Sequence, residues 1–110
     1  MQKNRLEQLK AFLKESPDEP FILFAIAKEY EKLKDQDSAM NYYEQIVQIA
    51  PNYVGVYYHL GKLLEKQNRI NEAFQTYKEG MAVAQQQGDR HALNELAAAK
   101  LNLGDDEDFD

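Results

Sequence analysis

The sequence predicts an all-α fold of stacked antiparallel helix pairs, and three observations lead to it. The chain aligns with itself after a shift of 34 residues. Apolar side chains recur at the spacing of one helical face. Proline, asparagine and glycine interrupt these stretches at regular intervals. A fixed period of this size is typical of repeated helix–turn–helix units, which bury their apolar faces only by stacking on one another.

The self-match pairs residues 20–53 with residues 54–87. Three positions are identical small or aromatic residues: Ala39 and Ala73, Tyr43 and Tyr77, and Ala50 and Ala84. At helix contacts, small residues allow two backbones to approach closely, and large residues fill the groove between neighbouring pairs. We therefore expect a tight contact at Gly61, where a leucine would unfold the protein.

Each helix has its own boundary signals. Leu6, Leu9, Phe12 and Leu13 form one stripe over residues 4–15, which Pro17 and Pro20 separate from the next helix. The two repeats predict helices over about 20–34, 37–50, 53–67 and 71–86, and a last helix covers 89–103. The expected boundary residues are Asp37 as an N-cap, Asn68 in a left-handed turn, Gly88 as a stop and Asp89 as a cap.

These helices organise residues 1–104 as one domain. Residues 4–15 match the second helix of a repeat, and residues 89–103 match a first helix that caps the C-terminal end. Two full repeats and two halves make six helices, equivalent to the three repeats that such folds usually need.

Five of the six net negative charges lie in residues 105–110, after Gly104. A run of like charges predicts an acidic disordered tail. The alternative is that this tail mimics an acidic peptide and reaches the lysines of a neighbouring molecule.

Composition excludes several functional classes. Without cysteine the chain has no disulfide framework and no thiolate. No basic surface is visible for nucleic acid, and the longest apolar run, Phe21–Ala27, is too short to span a bilayer. The start of the chain has no apolar signal region, so we expect a cytoplasmic protein that binds neither nucleic acid nor membrane.

The residues that carry chemistry do not form an active site. His59 and His91 have no third ligand at a fixed spacing, so no metal site is expected. Ser16 and Ser38 stand at turns or helix starts, where capping explains them, and no glycine-rich phosphate loop is present. We expect neither catalysis nor a cofactor.

The repeated residues carry a resemblance to a known family. The first helices show a large residue, a large–small pair and a further large residue, and the second helices a small residue, an aromatic and a closing position. These are Leu23, Ile26-Ala27, Tyr30, Ala39, Tyr43, Ile46 and Pro51, then Tyr57, Leu60-Gly61, Leu64, Ala73, Tyr77, Gly80 and Gln85. Over residues 4–103 the chain resembles the tetratricopeptide repeat (TPR) family, and its layout resembles small stand-alone bacterial TPR proteins. Ile46 and Gln85 depart from the pattern.

The resemblance implies a right-handed α-α superhelix and a non-catalytic protein that binds a peptide or partner helix in a concave groove, as an adaptor or scaffold. The groove residues that it implies are Phe24, Lys28, Lys32, Tyr58, His59, Lys62 and Lys66. Lys28/Lys62, Glu31/Glu65 and Lys32/Lys66 are identical between the repeats, and none has a role in packing under this interpretation. An acidic partner suits these lysines. The alternative is that they only solvate an exposed face through weak pairs along the helix.

A second hypothesis is structural self-assembly. Apolar residues at the ends of a repeat array can form a homodimer if they remain exposed. The candidates are Phe21, Ile22, Phe74 and the first helix.

Overall fold

The structure is a computed structural model that describes residues 2–109, with side chains from residue 5 onward. The described chain contains six α-helices, a short 3₁₀ helix and no strand. The bounds are α1 (Gln2–Glu15), α2 (Pro20–Lys32), α3 (Gln36–Ile49), α4 (Gly55–Lys66), α5 (Ile70–Gln87), α6 (Arg90–Leu103) and the 3₁₀ helix Asp106–Phe109. The predicted all-α fold is therefore confirmed. The chain divides into two compact units, Met1–Tyr53 and Val54–Asp110.

In the first unit, α2 packs against both α1 and α3. Leu6 and Leu9 of α1 meet Ile26 of α2, with five partly buried side chains around them: Leu13, Ile22, Ala25, Tyr30 and Tyr42. On α3 the predicted pattern residues Ala39, Tyr43 and Ile46 are all fully buried. The apolar stripe that defines each helix in the sequence is thus the stripe that packs.

In the second unit, the predicted small residues lie at close helix contacts. A Cβ atom on Gly61 of α4 would lie 2.2 Å from Cε1 of Tyr77 on α5. A Cβ atom on Gly80 of α5 would lie 2.5 Å from Cβ of Tyr57 and 3.0 Å from Cδ1 of Leu96. Both distances are too short for a real side chain, so α4, α5 and α6 approach as closely as they do because these positions lack one.

The helix ends repeat as well. Lys34 and Asn68 are 34 residues apart, and both adopt left-handed backbone angles, with φ of 62° and 60°. The residue after each donates its N–H to a carbonyl five residues back, Asp35 to Tyr30 and Arg69 to Leu64, both at 2.9 Å. The left-handed turn predicted at Asn68 is confirmed, and the stop predicted at Gly88 is also left-handed, with φ of 70°. Lys34 gave no such signal, because lysine is not a typical residue for this conformation.

One cap lies two residues from its predicted position. Asp35, not Asp37, is the N-cap of α3, and its Oδ1 accepts the N–H of Ser38 at 3.1 Å. The reason is that Asp35 directly follows the left-handed Lys34, so the helix begins at once. The cap predicted at Asp89 is confirmed, since its Oδ1 accepts the N–H of Ala92 at 3.0 Å.

The acidic tail differs from the expected disordered segment. Residues 106–109 form a 3₁₀ helix, and the ring of Phe109 stacks on Phe74 of α5 with 4.0 Å between ring centroids. An apolar side chain at the end of a charged run gives the segment something to bury, which the charge pattern alone does not reveal. Residue 110 lies outside the described residues.

None of the helices within residues 2–109 is both long and apolar enough to cross a bilayer.

Candidate functional site

The seven predicted groove residues lie on two helices, one in each unit. Three are on α2, namely Phe24, Lys28 and Lys32, and four are on α4, namely Tyr58, His59, Lys62 and Lys66. We call the first set the α2 patch.

Phe24 is the aromatic centre of the α2 patch. Its ring lies 5.9 Å from that of Tyr43 and 5.8 Å from that of Tyr53, tilted against both. These distances are typical of favourable aromatic pairs. Phe24 is only half-buried despite them, so part of its ring is available to a ligand.

Lys32 serves a buried carboxylate instead of standing alone. Its Nζ lies 3.5 Å from Oε1 of Glu29, the buried acidic side chain of α2, which is only 3% exposed. Nε of Arg5 on α1 donates to the same oxygen at 2.8 Å, while Oε2 of Glu29 has no hydrogen-bond partner among the described residues. A buried charge is costly without opposite charges beside it, so this triad ties α1 to α2. Nothing in the sequence pattern indicates it.

Glu31 and Glu65 have a packing role, which corrects the interpretation that these repeated residues have none. The hydroxyl of Tyr43 donates to Oε1 of Glu31, and the hydroxyl of Tyr77 donates to Oε2 of Glu65. Both pairs join the two helices of a repeat across twelve residues of sequence. Burial, and then the carboxylate partner, raises the pKa of each tyrosine well above its usual range. The 34-residue recurrence of both partners was the available signal.

The second unit presents an open groove between α4 and α6. It has a volume of about 190 Å³, and we call it the α4–α6 groove. Its lining residues are Tyr58 and Lys62 of α4 and Glu95, Ala98, Ala99 and Asn102 of α6.

One wall of the α4–α6 groove combines an aromatic ring with a cation. Nζ of Lys62 lies 5.5 Å from the centroid of the Tyr58 ring and 3.7 Å from Oε2 of Glu65. The ring of His59 meets that of Tyr58 edge-on at 5.7 Å. Tyr58, His59 and Lys62 are thus brought together as predicted residues of one wall, whereas Lys66 is not among the lining residues of this groove.

The opposite wall was missed by the sequence analysis. Glu95, Ala98, Ala99 and Asn102 share one face of α6, since their spacing is three, one and three residues. The face is recognisable in the sequence only once α6 is known to pack beside α4. Two alanines and two polar residues do not stand out by type.

A larger depression of about 360 Å³ lies at the start of α5, lined by residues 68–72. Its cation is already engaged, because Nε and Nη2 of Arg69 contact the two carboxylate oxygens of Glu72 at 2.6 and 2.9 Å. This bidentate pair lowers the pKa of Glu72. The depression therefore offers an anion little, and we do not treat it as a binding site.

Among residues 2–109, no three or more histidine and acidic side chains group closely enough to hold a metal ion. Nε2 of His91 lies 3.6 Å from Oε2 of Glu95, one turn along the exposed surface of α6. This is an ordinary surface pair, which forms an ion pair only when the histidine is protonated.

Comparisons with known proteins agree with this architecture. Residues 31–99 match the family model described as "Tetratricopeptide repeat". The crystal structure of a tetratricopeptide repeat domain protein from Salinibacter ruber is 41% identical, with a TM-score of 0.74, and the match covers 77% of this chain and 94% of that chain. A solution structure of such a protein from the same organism has the same identity and a TM-score of 0.77, covering 80% and 89%.

A protein of Bordetella parapertussis is 28% identical, with a TM-score of 0.74 and coverage of 89% of this chain and 85% of that chain. No protein with a curated description matches the sequence significantly.

Proposed function

Because the chain belongs to the tetratricopeptide repeat family, we propose that it binds a short peptide or partner helix, with the α4–α6 groove as part of the binding surface. The fold generally mediates protein–protein interaction, and its members are typically non-enzymatic. The observation that carries the proposal is the wall made by Tyr58 and Lys62 beside a floor of small residues.

The floor allows a main chain to approach. Ala98 and Ala99 carry only methyl groups, so a ligand backbone can lie close to α6. The Asn102 amide provides both a donor and an acceptor for that backbone. Glu95 provides a further acceptor for its N–H groups.

The wall selects the ligand side chains. The face of Tyr58 gives an apolar or aromatic ligand side chain a surface to pack on. Lys62 is held only by a pair with Glu65 along its own helix, an interaction worth about 0.2–0.5 kcal/mol. An acidic ligand side chain can therefore take over the ammonium at small cost, so we propose an acidic partner. The family resemblance extends the proposed surface to His59 and Lys66 on α4 and to the α2 patch.

Selection of displayed random peptides tests the proposal. The wild-type chain serves as bait, and each selected peptide is then titrated against a Tyr58→Ser/Lys62→Glu variant. Arg90→Glu is the matched control, because it makes the same charge change at an exposed position of α6 outside the groove lining. Because two contacts are lost, we expect the double variant to bind at least about tenfold more weakly, with the control unchanged.

Two outcomes would contradict the groove assignment. One is a set of selected peptides that bind the double variant as tightly as the wild type. The other is equal weakening by Arg90→Glu, which would indicate that only net charge matters. Circular dichroism of all variants checks that the helices remain folded.

A second candidate function is homodimerisation, which is favoured by two exposed phenylalanines. Phe12 on α1 is 62% exposed and Phe21 on α2 is 67% exposed. Large apolar side chains at the surface are common at protein interfaces. Ile22 and Phe74, the other residues named for this hypothesis, are partly and fully buried within their own units.

Sedimentation velocity at increasing protein concentration tests this second candidate. A dimer that dissociates in a Phe12→Ser/Phe21→Ser variant supports it, whereas a wild-type chain that stays monomeric at every concentration contradicts it. For either function we propose an adaptor or scaffold in the cytoplasm.

A further inference from the structure

The C-terminal segment folds back onto α5 and α6. The rings of Phe109 and Phe74 are nearly parallel, 12° apart, with centroids at 4.0 Å. Three residues earlier, Oδ1 of Asp106 accepts a hydrogen bond from Nζ of Lys100 at 2.7 Å. The segment is thus fixed at two points of different chemistry, one aromatic and one ionic.

The surface beneath the segment is built for that combination. Phe74 is only 1% exposed, and two lysines surround its ring. The ammonium of Lys100 lies 4.8 Å from the ring centroid and that of Lys78 lies 5.9 Å from it. An aromatic floor with two cations attracts a segment that carries both an aromatic ring and carboxylates. The hydrogen bond from Lys100, helped by the charge of Lys78, lowers the pKa of Asp106.

The turn that leads into the segment is also specific. Gly104 has a φ of 144°, and a Cβ atom there would lie 2.8 Å from Oδ2 of Asp108. That same Oδ2 accepts the N–H of Asp105 at 2.8 Å. Only glycine fits this turn without strain, and the turn directs the ring of Phe109 back to α5.

We propose that Phe74, Lys78 and Lys100 form a second peptide-binding site, whose ligand is an acidic segment that contains an aromatic residue. The chain's own residues 105–109 occupy it. A segment of the same chemistry from another polypeptide binds there only by displacing them. This site does not depend on the α4–α6 groove, since the two share no residue.

Occupation by the chain's own segment has a consequence for affinity. A segment joined by a short connection has an effective local concentration in the millimolar range. A free peptide of equal intrinsic affinity therefore competes poorly with it. Weakening the internal contact opens the site to the free peptide, and this is measurable.

The first test asks whether the segment is docked in solution. The chain contains no tryptophan, so Phe109→Trp introduces a single fluorophore. We expect blue-shifted emission that acrylamide quenches weakly, and a shift towards the exposed spectrum when Lys78→Gln and Lys100→Gln are added. Lys14→Gln, an exposed lysine of α1, is the control and leaves the emission unchanged. Fully exposed emission in the single variant would overturn the proposal.

The second test asks whether the site accepts a separate peptide. The probe is a fluorescein-labelled peptide with the sequence of residues 103–110, titrated by anisotropy against the full-length chain. An Asp106→Asn/Phe109→Ala variant, in which the internal segment is weakened, binds it at least about tenfold more tightly than the wild type. Adding Lys78→Gln and Lys100→Gln removes this binding, and adding Lys14→Gln does not.

Three results would overturn the proposal. They are no binding by the weakened variant, equal binding by the wild type, and binding that is indifferent to both lysines. A wild-type dimer that dissociates in the Phe109→Ala variant would overturn the internal occupant, because the segment would then lie on a second copy.

Discussion

Adding one methyl group at the contact between α4 and α5 tests the close approach on which the repeat depends. In Gly61→Ala, the new Cβ atom would lie 2.2 Å from Cε1 of Tyr77, 2.6 Å from Cζ and 2.7 Å from Cδ1. Normal carbon–carbon contact is about 3.5 Å, so the ring must move by roughly 1.3 Å. The ring is fully buried and its hydroxyl is hydrogen-bonded to Glu65, so it has no free space to enter.

The size of the effect follows from opposing terms. Overpacking a core usually costs about 1–3 kcal/mol. Displacing Tyr77 also strains its hydrogen bond to a carboxylate, a type of bond worth about 1.5–3 kcal/mol. Alanine in a helix is favoured over glycine by about 1 kcal/mol, which opposes both. We therefore expect the free energy of unfolding to fall by about 1–3 kcal/mol.

Urea unfolding followed by far-ultraviolet circular dichroism measures this change. Ala82→Gly, at an exposed position of α5, isolates the helix-propensity term and should cost about 1 kcal/mol. The first repeat has Ala27 at the position equivalent to Gly61, so a methyl group is tolerated there. If Gly61→Ala were more stable than the wild type, α4 and α5 would be free to relax apart, and the reasoning would be refuted.

Three further predictions concern stability. Burial raises the pKa of Tyr43 and Tyr77, so stability should decrease as the pH rises above about 10, where the unfolded chain ionises first. Phenolate absorbance that appears for these two residues before the helical signal is lost, judged against their Tyr→Phe variants, would contradict this. Arg5→Gln leaves the carboxylate of Glu29 buried with one exposed lysine nearby, so urea unfolding should show a loss of about 1–2 kcal/mol. Glu29→Gln, which removes the buried charge, should cost less, and the reverse order would count against the triad. Asp89→Ala removes the cap of α6 and should lower the free energy of unfolding by about 1 kcal/mol, and no change in the urea midpoint would show that the cap is unimportant.

The fold was predictable because repetition supplies its own evidence. Ala39, Tyr43 and their partners 34 residues later appear twice in the same pattern, so two independent stretches of chain indicate one structure. The match of residues 31–99 confirms the resemblance to the tetratricopeptide repeat family. Helix bounds differ from the prediction by only a few residues, because proline and glycine mark most of them.

Side-chain pairs that cross between helices were harder to predict. Glu29 lies on α2 and Arg5 on α1, and no spacing rule connects them. Glu31 and Glu65 had a usable signal, since each recurs with its tyrosine, but a charged residue on a helix is usually assigned to solvent. The interaction energy of such a pair depends on burial, which emerges only from packing.

The tail was assigned from charge alone, and charge was insufficient. Residues 105–108 are acidic and would repel one another in isolation. Lys100 neutralises part of that charge, and Phe109 gains an aromatic partner in Phe74. Both partners belong to helices that stand apart from the tail in sequence. The site residues on α4 were predicted from the family resemblance, whereas those on α6 required the packed structure.

Amide chemical shifts of the ¹⁵N-labelled full-length chain, titrated with a peptide selected on it, test the proposed function most directly. The account predicts the largest changes at Tyr58, Lys62, Ala98 and Asn102, which line the α4–α6 groove. Changes confined to residues 105–109 and α5, or changes absent from α4 and α6, would contradict it.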